Sequence, residues 1–281
     1  MKKKKVTAYP IIRCAVITAS VAAVVLPIIF LFFTSVKPES ELYNNPRIFP
    51  TQFIWDNYKS IFNLQSINDG ILFYLKNTII VAVVSTVVTV FLGSMCAYGL
   101  TRLTKSRLIV IITAVIVLVR FYPKITVILP YFLLMKNLHL LDTLAAIIIS
   151  HISIGIPLTV MMMTTFYKEV PREIEEASRV DGASVLTTYF RVIVPTTLSG
   201  MAATAILMVM TSWNEFLMAS ALASNRAKTF PIVIAGFVTD KGTDWGGMAA
   251  LSIVAMVPMV IIVLFTQKYL IRGLTAGAVK G

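Results

Sequence analysis

Six stretches of this chain are apolar over the length a helix needs to cross a bilayer: residues 11–36, 71–100, 108–135, 144–166, 196–222 and 248–267. A hydrocarbon core takes about 20 helical residues, because each adds ~1.5 Å. With 57% hydrophobic and only 14% charged residues, and a mean hydropathy of +0.84, the chain is excluded from the soluble globular class. Lipid offers the backbone no hydrogen bonds, so each stretch must satisfy its own N–H and C=O groups. The expected fold is all-α: a polytopic membrane protein with six transmembrane helices.

The stretches are not uniform. The first contains Pro27, and the second is longer than the core requires, so it tilts or projects. Arg120-Phe121-Tyr122-Pro123-Lys124 and Pro130 interrupt the third, which is expected to break or kink partway. The fourth holds His151 and Pro157, the fifth carries Trp213-Asn214-Glu215 towards its far end, and the sixth passes Pro258. Residues 37–70 and 223–247, rich in proline or glycine, read as loops, the former with short interfacial helices. A segment 1–10 and a tail 268–281 complete the chain. The start Met1-Lys2-Lys3-Lys4-Lys5 imitates a secretory leader, but the run behind it is too long for one and no small-x-small site closes it. It reads as an uncleaved first span.

The formal charge of +12 comes from Lys and Arg at the ends of the apolar runs, not from one polar face, which argues against nucleic acid. Basic residues collect in short cytoplasmic loops. Lys2 to Lys5, Arg13, Arg102, Lys105, Arg107, Lys168, Arg172, Arg179, Arg191, Lys268, Arg272 and Lys280, against Lys37, Arg47, Lys59, Lys76, Lys136, Arg226, Lys228 and Lys241 on the other side, give a bias that places both termini, and the loop 167–195, in the cytoplasm. Cys14 and Cys96 both fall in apolar runs and read as small hydrophobes. His139 and His151 have no second ligand at metal spacing, no Gly-Lys-Ser/Thr phosphate loop is present, and no nucleophile and base pair up. The chain reads as neither an enzyme nor a cofactor carrier.

The longest charged island is Glu175-Glu176-Ala177-Ser178-Arg179-Val180-Asp181-Gly182-Ala183. Pro171 suits a first helical position, with Glu173, Glu175 and Glu176 near the positive helix end. Gly182 is placed to end that helix in the left-handed conformation, and Ser184 to cap a second one running towards Pro195. A helix, turn, helix platform follows; the plainer alternative is an amphipathic surface helix leading into a span.

Glu176-Ala177-Ser178, then Gly182-Ala183, Phe190, Ile193 and Pro195 at this spacing, resembles the EAA loop of the membrane subunits of bacterial ABC importers. Asn57-Tyr58, Asn77-Thr78, Ile128-Leu129-Pro130-Tyr131, Trp213-Asn214-Glu215-Phe216, Pro258 and the ending 273–281 resemble its carbohydrate branch, in particular the maltose-type second membrane subunit. The resemblance covers nearly the whole chain; Arg120 to Lys124 depart from it, since the family more often has small or apolar residues there. It implies a permease in the plasma membrane of a bacterium, paired with a second homologous permease subunit, two ATPase subunits that use ATP and Mg, and an extracytoplasmic solute-binding protein. The substrate it implies is a sugar or oligosaccharide. Glu175, Glu176, Ala177, Ser178, Asp181, Gly182 and Ala183 then form the coupling contact with the ATPase, and the tail residues Thr275, Gly277 and Lys280 a further one.

Polar side chains inside spans are costly, so Arg120, Lys124, His151, Asn214 and Glu215 are candidates for a translocation path or for helix-to-helix bonding. Tyr122, Tyr131 and Trp213 suit either stacking on a sugar or an interfacial belt. A permease for another solute, such as a polyamine or glycerol phosphate, shares the island. A secondary transporter working alone predicts paired repeats, which the sequence lacks.

Overall fold

The computed structural model describes residues 8–44, 46–62, 70–102 and 107–276. The described chain is almost wholly helical. In order it forms α1 (Ala8–Ser35), α2 (Glu39–Tyr43), α3 (Asp56–Phe62), α4 (Gly70–Arg102), α5 (Arg107–Phe121), α6 (Lys124–Asn137), α7 (Leu144–Glu169), α8 (Arg172–Val180) and α9 (Val185–Thr188). A π-helical turn, Tyr189–Ile193, leads into α10 (Val194–Thr196), α11 (Leu198–Trp213), α12 (Leu217–Leu222) and α13 (Phe230–Ala235). A hairpin of β1 (Val238–Thr239) and β2 (Gly242–Thr243) precedes α14 (Trp245–Ala276). The expected loop 37–70 does carry two short helices, α2 and α3.

Among the described residues, four helical stretches are long and apolar enough to cross a membrane: Ile12–Ser35, Gly70–Arg102, Leu144–Glu169 and Trp245–Lys268. Two bent pairs raise the number to six if each counts as one span. One is α5 with α6, bent by 99° where Pro123, which has no N–H to donate, opens α6. The other bends by 79° between Val185–Thr196 and α11.

Two expectations change in detail. The run 196–222 is not a continuous helix, because it breaks at Asn214-Glu215-Phe216 between α11 and α12. The stretch after 268, read as a tail, continues the last helix to Ala276.

The chain forms two compact units, Met1–Ile71 with Ile234–Val257, and Leu72–Val233 with Pro258–Gly281. In the first, the end of α1 is tied to α3: Tyr58 Oη and Ser35 Oγ lie 2.8 Å apart, and Asn57 Nδ2 donates to Ser35 O at 2.9 Å. Tyr43 Oη donates to the carbonyl of Thr243 and accepts from the N–H of Trp245, joining α2 to the hairpin.

The second unit is built on α4, α7 and α11. Ala146, Ile147, Ser150, His151 and Gly155 recur on one side of α7 and are all buried. A Cβ on Gly200 of α11 would overlap the Phe166 ring of α7, so glycine there permits the close crossing. Val81, Met135, Ala146, Ile147, Ala219 and Leu222 form one core of this unit.

Asn77 and Thr78 of α4 hold the connection from α12 to α13. Asn77 Nδ2 donates to the carbonyls of Arg226 and Lys228, each at 3.0 Å, and Thr78 Oγ1 accepts the N–H of Phe230 at 2.9 Å. Asp142, at φ +58, reaches into the same connection and accepts the N–H groups of Ser224, Asn225, Arg226 and Ala227 at 2.9 to 3.2 Å. Burial pushes the Asp142 carboxyl up, but these four donors outweigh it and hold it below its ordinary value. With the folded value depressed, the contribution is present above the unfolded pKa of ~3.9 and is lost as pH falls through the folded one. Asp142→Ala should lose ~2 kcal/mol at pH 7, the scale of hydrogen bonds to a charged group. Thermal unfolding in detergent should show the lower midpoint, and the gap to the parent should narrow below about pH 4.

Candidate functional site

The loop after α7 folds as a rigid platform. Pro171 sits at the N-cap of α8, and Glu173 and Glu175 occupy its first turn, where the helix dipole favours acid. The helix ends at Gly182, φ +82: Ala183 N–H donates to Ser178 O at 3.1 Å and Gly182 N–H to Arg179 O at 3.0 Å, a Schellman closure. Ser184 then caps α9 by accepting Thr187 N–H at 3.2 Å, and Ser178 Oγ lies 3.0 Å from Thr188 Oγ1, bonding α8 to α9. The π-helical turn is fastened to α4 by Tyr189 Oη and Ser94 Oγ, 2.7 Å apart. Beneath lies a core of Ala97, Tyr98, Met163, Tyr167, Tyr189 and Ile193.

The adjacent glutamates lie about 100° apart around the helix, which turns one inward and leaves the other exposed. Glu175 is buried, with Arg102 Nε 2.5 Å from its Oε1 and Tyr98 Oη donating to its Oε2 at 3.1 Å. Arg102 Nη2 also donates to Tyr167 O and Val170 O, each at 2.9 Å, and so caps the end of α7. Glu176, Ala177, Asp181 and Gly182 are exposed, while Ser178 and Ala183 are half-buried. Around them stand Val180, 87% exposed, with Val185, Leu186 and Phe190, an apolar surface beside an acid. Glu175 is thus a brace, and Glu176 is the glutamate available to a partner.

The polar residues of the spans divide into two sets. His151 and Glu215 are buried between helices: His151 Nδ1 lies 2.7 Å from Ser212 Oγ, which lies 3.0 Å from Ser85 Oγ, and His151 Nε2 is 3.4 Å from Glu215 Oε2. Glu215 also accepts the N–H groups of Met218 and Ala219, capping α12 where the chain breaks. Trp213 is buried, with its ring 6.3 Å from that of Phe230, and Asn214 is exposed and bonds back to Met210 O. The other set, Arg120, Tyr122, Lys124 and Tyr131, lines a cavity of about 340 Å³ with Ser153 and Pro157. Lys124 joins the sets, its Nζ 3.8 Å from Glu215 Oε1.

Of the proposed tail contacts, Gly277 and Lys280 lie outside the described residues, and Thr275 falls in the last turns of α14. Sequence reasoning missed Tyr98 and Arg102 as partners of Glu175; the clue available was a basic residue closing a long apolar run. Among the described residues, no group of three or more His, Cys, Asp or Glu side chains could hold a metal ion.

Residues 89–276 match the family described as binding-protein-dependent transport system inner membrane component. A trehalose transport system permease protein of Mycobacterium tuberculosis is 32% identical over 267 residues, covering 94% of this chain and 95% of that protein. A sulfoquinovosyl glycerol transport system permease protein of Agrobacterium fabrum is 32% identical over 270 residues, covering 94% and 93%. A crystal structure of a bacterial ABC transporter involved in the import of the acidic polysaccharide alginate has a chain that superposes with a TM-score of 0.74 at 17% identity, covering 96% of this chain and 99% of that one. That likeness concerns the fold.

The brace can be tested apart from any activity. Arg102→Met should cost ~3–5 kcal/mol by leaving Glu175 buried without a counter-charge. Arg102→Met with Glu175→Met should recover most of that loss. Thermal unfolding of the four proteins in one detergent reads the cycle, and simple additivity would count against a direct coupling.

Proposed function

The chain belongs to the family of binding-protein-dependent transport system inner membrane components, and from that membership we propose that it is one permease subunit of an ATP-driven importer that carries a sugar or oligosaccharide by alternating access. It is a multi-pass protein of the cytoplasmic membrane. Six spans, with both ends and the platform in the cytoplasm, agree with the distribution of Lys and Arg and with counting each bent pair as one span. A second permease completes the pore, a solute-binding protein delivers the sugar outside, and two ATPase subunits hydrolyse ATP with Mg. The relatives named above support sugar as the cargo class.

The observation that carries this reading is the braced platform. α8 is held from behind by Arg102 and closed by Gly182, while Glu176 and the apolar side chains of Val180, Val185 and Leu186 are left exposed. A stiff element with an unpartnered, part acidic and part apolar face is suited to sit in a groove of another subunit and transmit its motion. In this reading Glu176 is the anchor and Gly182 the turn, while Glu175 acts one step back. The cavity beside Arg120 belongs to the path taken by the solute.

Gly182→Asp forces a charged L-residue into φ +82, although open space surrounds the position. It should leave the protein in the membrane and abolish uptake, and Glu176→Lys should do the same. Membrane immunoblots together with uptake of labelled sugar test both. Normal uptake in either variant removes the coupling assignment, and failure of any ATPase chain to co-purify removes the importer reading. A screen of sugars for stimulation of the purified complex's ATPase names the cargo class, and stimulation by a polyamine or glycerol phosphate alone would transfer the reading to a non-sugar solute.

A further inference from the structure

We propose that the cavity between α5, α6 and α7 receives an anionic substituent of the transported sugar, a carboxylate, sulfonate or phosphate, with Arg120 as its counter-charge. The inference rests on the importer reading and narrows its substrate class.

The charges around the cavity do not balance. Lys124 stands 3.8 Å from Glu215, whose side chain is 3% exposed, so this cation already has its anion. Arg120 lines the same cavity and has no ion-pair or hydrogen-bond partner among the described residues. It lies about 20 Å along α5 from Arg107, within a stretch of membrane length, where an unpaired guanidinium is costly unless it faces water or an anion. Arg is also the side chain best shaped to grip carboxylate, sulfonate or phosphate oxygens in a fork.

The remaining lining is mostly apolar, from Leu118, Val119, Val127, Ile154 and Pro157, with two aromatic rings and one hydroxyl among them that suit a sugar ring. Tyr122 and Tyr131 offer flat faces to its C–H side, and Ser153 offers a hydroxyl. The volume, about 340 Å³, falls in the range of small-molecule sites. The bend of 99° creates the site: it turns α6 away from α5 just after Arg120 and puts Tyr122, Lys124 and Tyr131 around one hollow. A neutral sugar would occupy the same rings but leave Arg120 unpaired. The preference for an anion is therefore electrostatic, and it should weaken with salt.

The test uses whatever assembly purifies with this chain, reconstituted in phosphatidylcholine nanodiscs, with titration calorimetry of a galacturonate trisaccharide against maltotriose. The acidic sugar should bind about tenfold tighter at 50 mM salt, with the ratio falling at 300 mM. Arg120→Gln should bring the ratio near one, and Arg120→Lys should keep most of it, which separates charge from folding. Equal affinities, or a preference that survives Arg120→Gln, overturn the proposal. If phosphatidylglycerol added to the disc displaces the trisaccharide, and Arg120→Gln removes that competition, the cavity holds a lipid headgroup and the substrate assignment falls. Loss of the co-purifying ATPase defeats the importer reading by a separate measurement and leaves the calorimetry readable.

Discussion

Arg102 is where three helices are joined. It is the last residue of α4, its guanidinium accepts no bond and can only donate, and it gives those donors to the final carbonyls of α7 and to a carboxylate in the first turn of α8. The pair is well hidden, with side-chain exposures of 9% and 6%. A buried ion pair often adds little net stability compared with apolar residues of the same size. What it supplies here is direction, because rotating α8 about its axis would strand both charges. The outward face of the platform follows from that inward constraint.

The same logic recurs deeper in the chain. Ser85, Ser212, His151 and Glu215 form a run of polar contacts across α4, α11 and α7, and Glu215 ends it by capping α12. Each group would be expensive in lipid alone. Together they fix which residues of neighbouring helices meet, a specificity that apolar packing between similar side chains provides less sharply.

Much of the architecture was legible in the residues themselves. Length and hydropathy located the helices, Gly182 declared a left-handed turn, and Ser184 declared a cap, because these are local demands of the backbone. The break after Arg120 was legible too, since Pro123 removes a donor. The partners were not. Arg102 and Glu175 are 73 positions apart, and His151 and Glu215 are 64 apart, so no local pattern pairs them. Hydropathy also misread the stretch 196–222 as one helix, because Asn214-Glu215-Phe216 is too short an interruption to lower the average over a window, although Glu215 is what ends one helix and starts the next. The role of Asn77 and Thr78 was hidden for the same reason: they act on backbone groups about 150 residues away.

The bends have a mechanical meaning. Where α4, α7 and α11 are cross-bonded from Ser85 to His151, sliding one past another by a residue would break buried contacts. Compliance is left to the places where the hydrogen-bond ladder is already interrupted, at Phe121 to Lys124 and near Thr197. Along the chain one joint lies between α4 and α7 and the other between α7 and α11, and the first of them also shapes the hollow beside Arg120. Any stroke that flexes this joint changes the distance between that guanidinium and the two tyrosine rings, so the grip on a solute and the geometry of the joint are one degree of freedom.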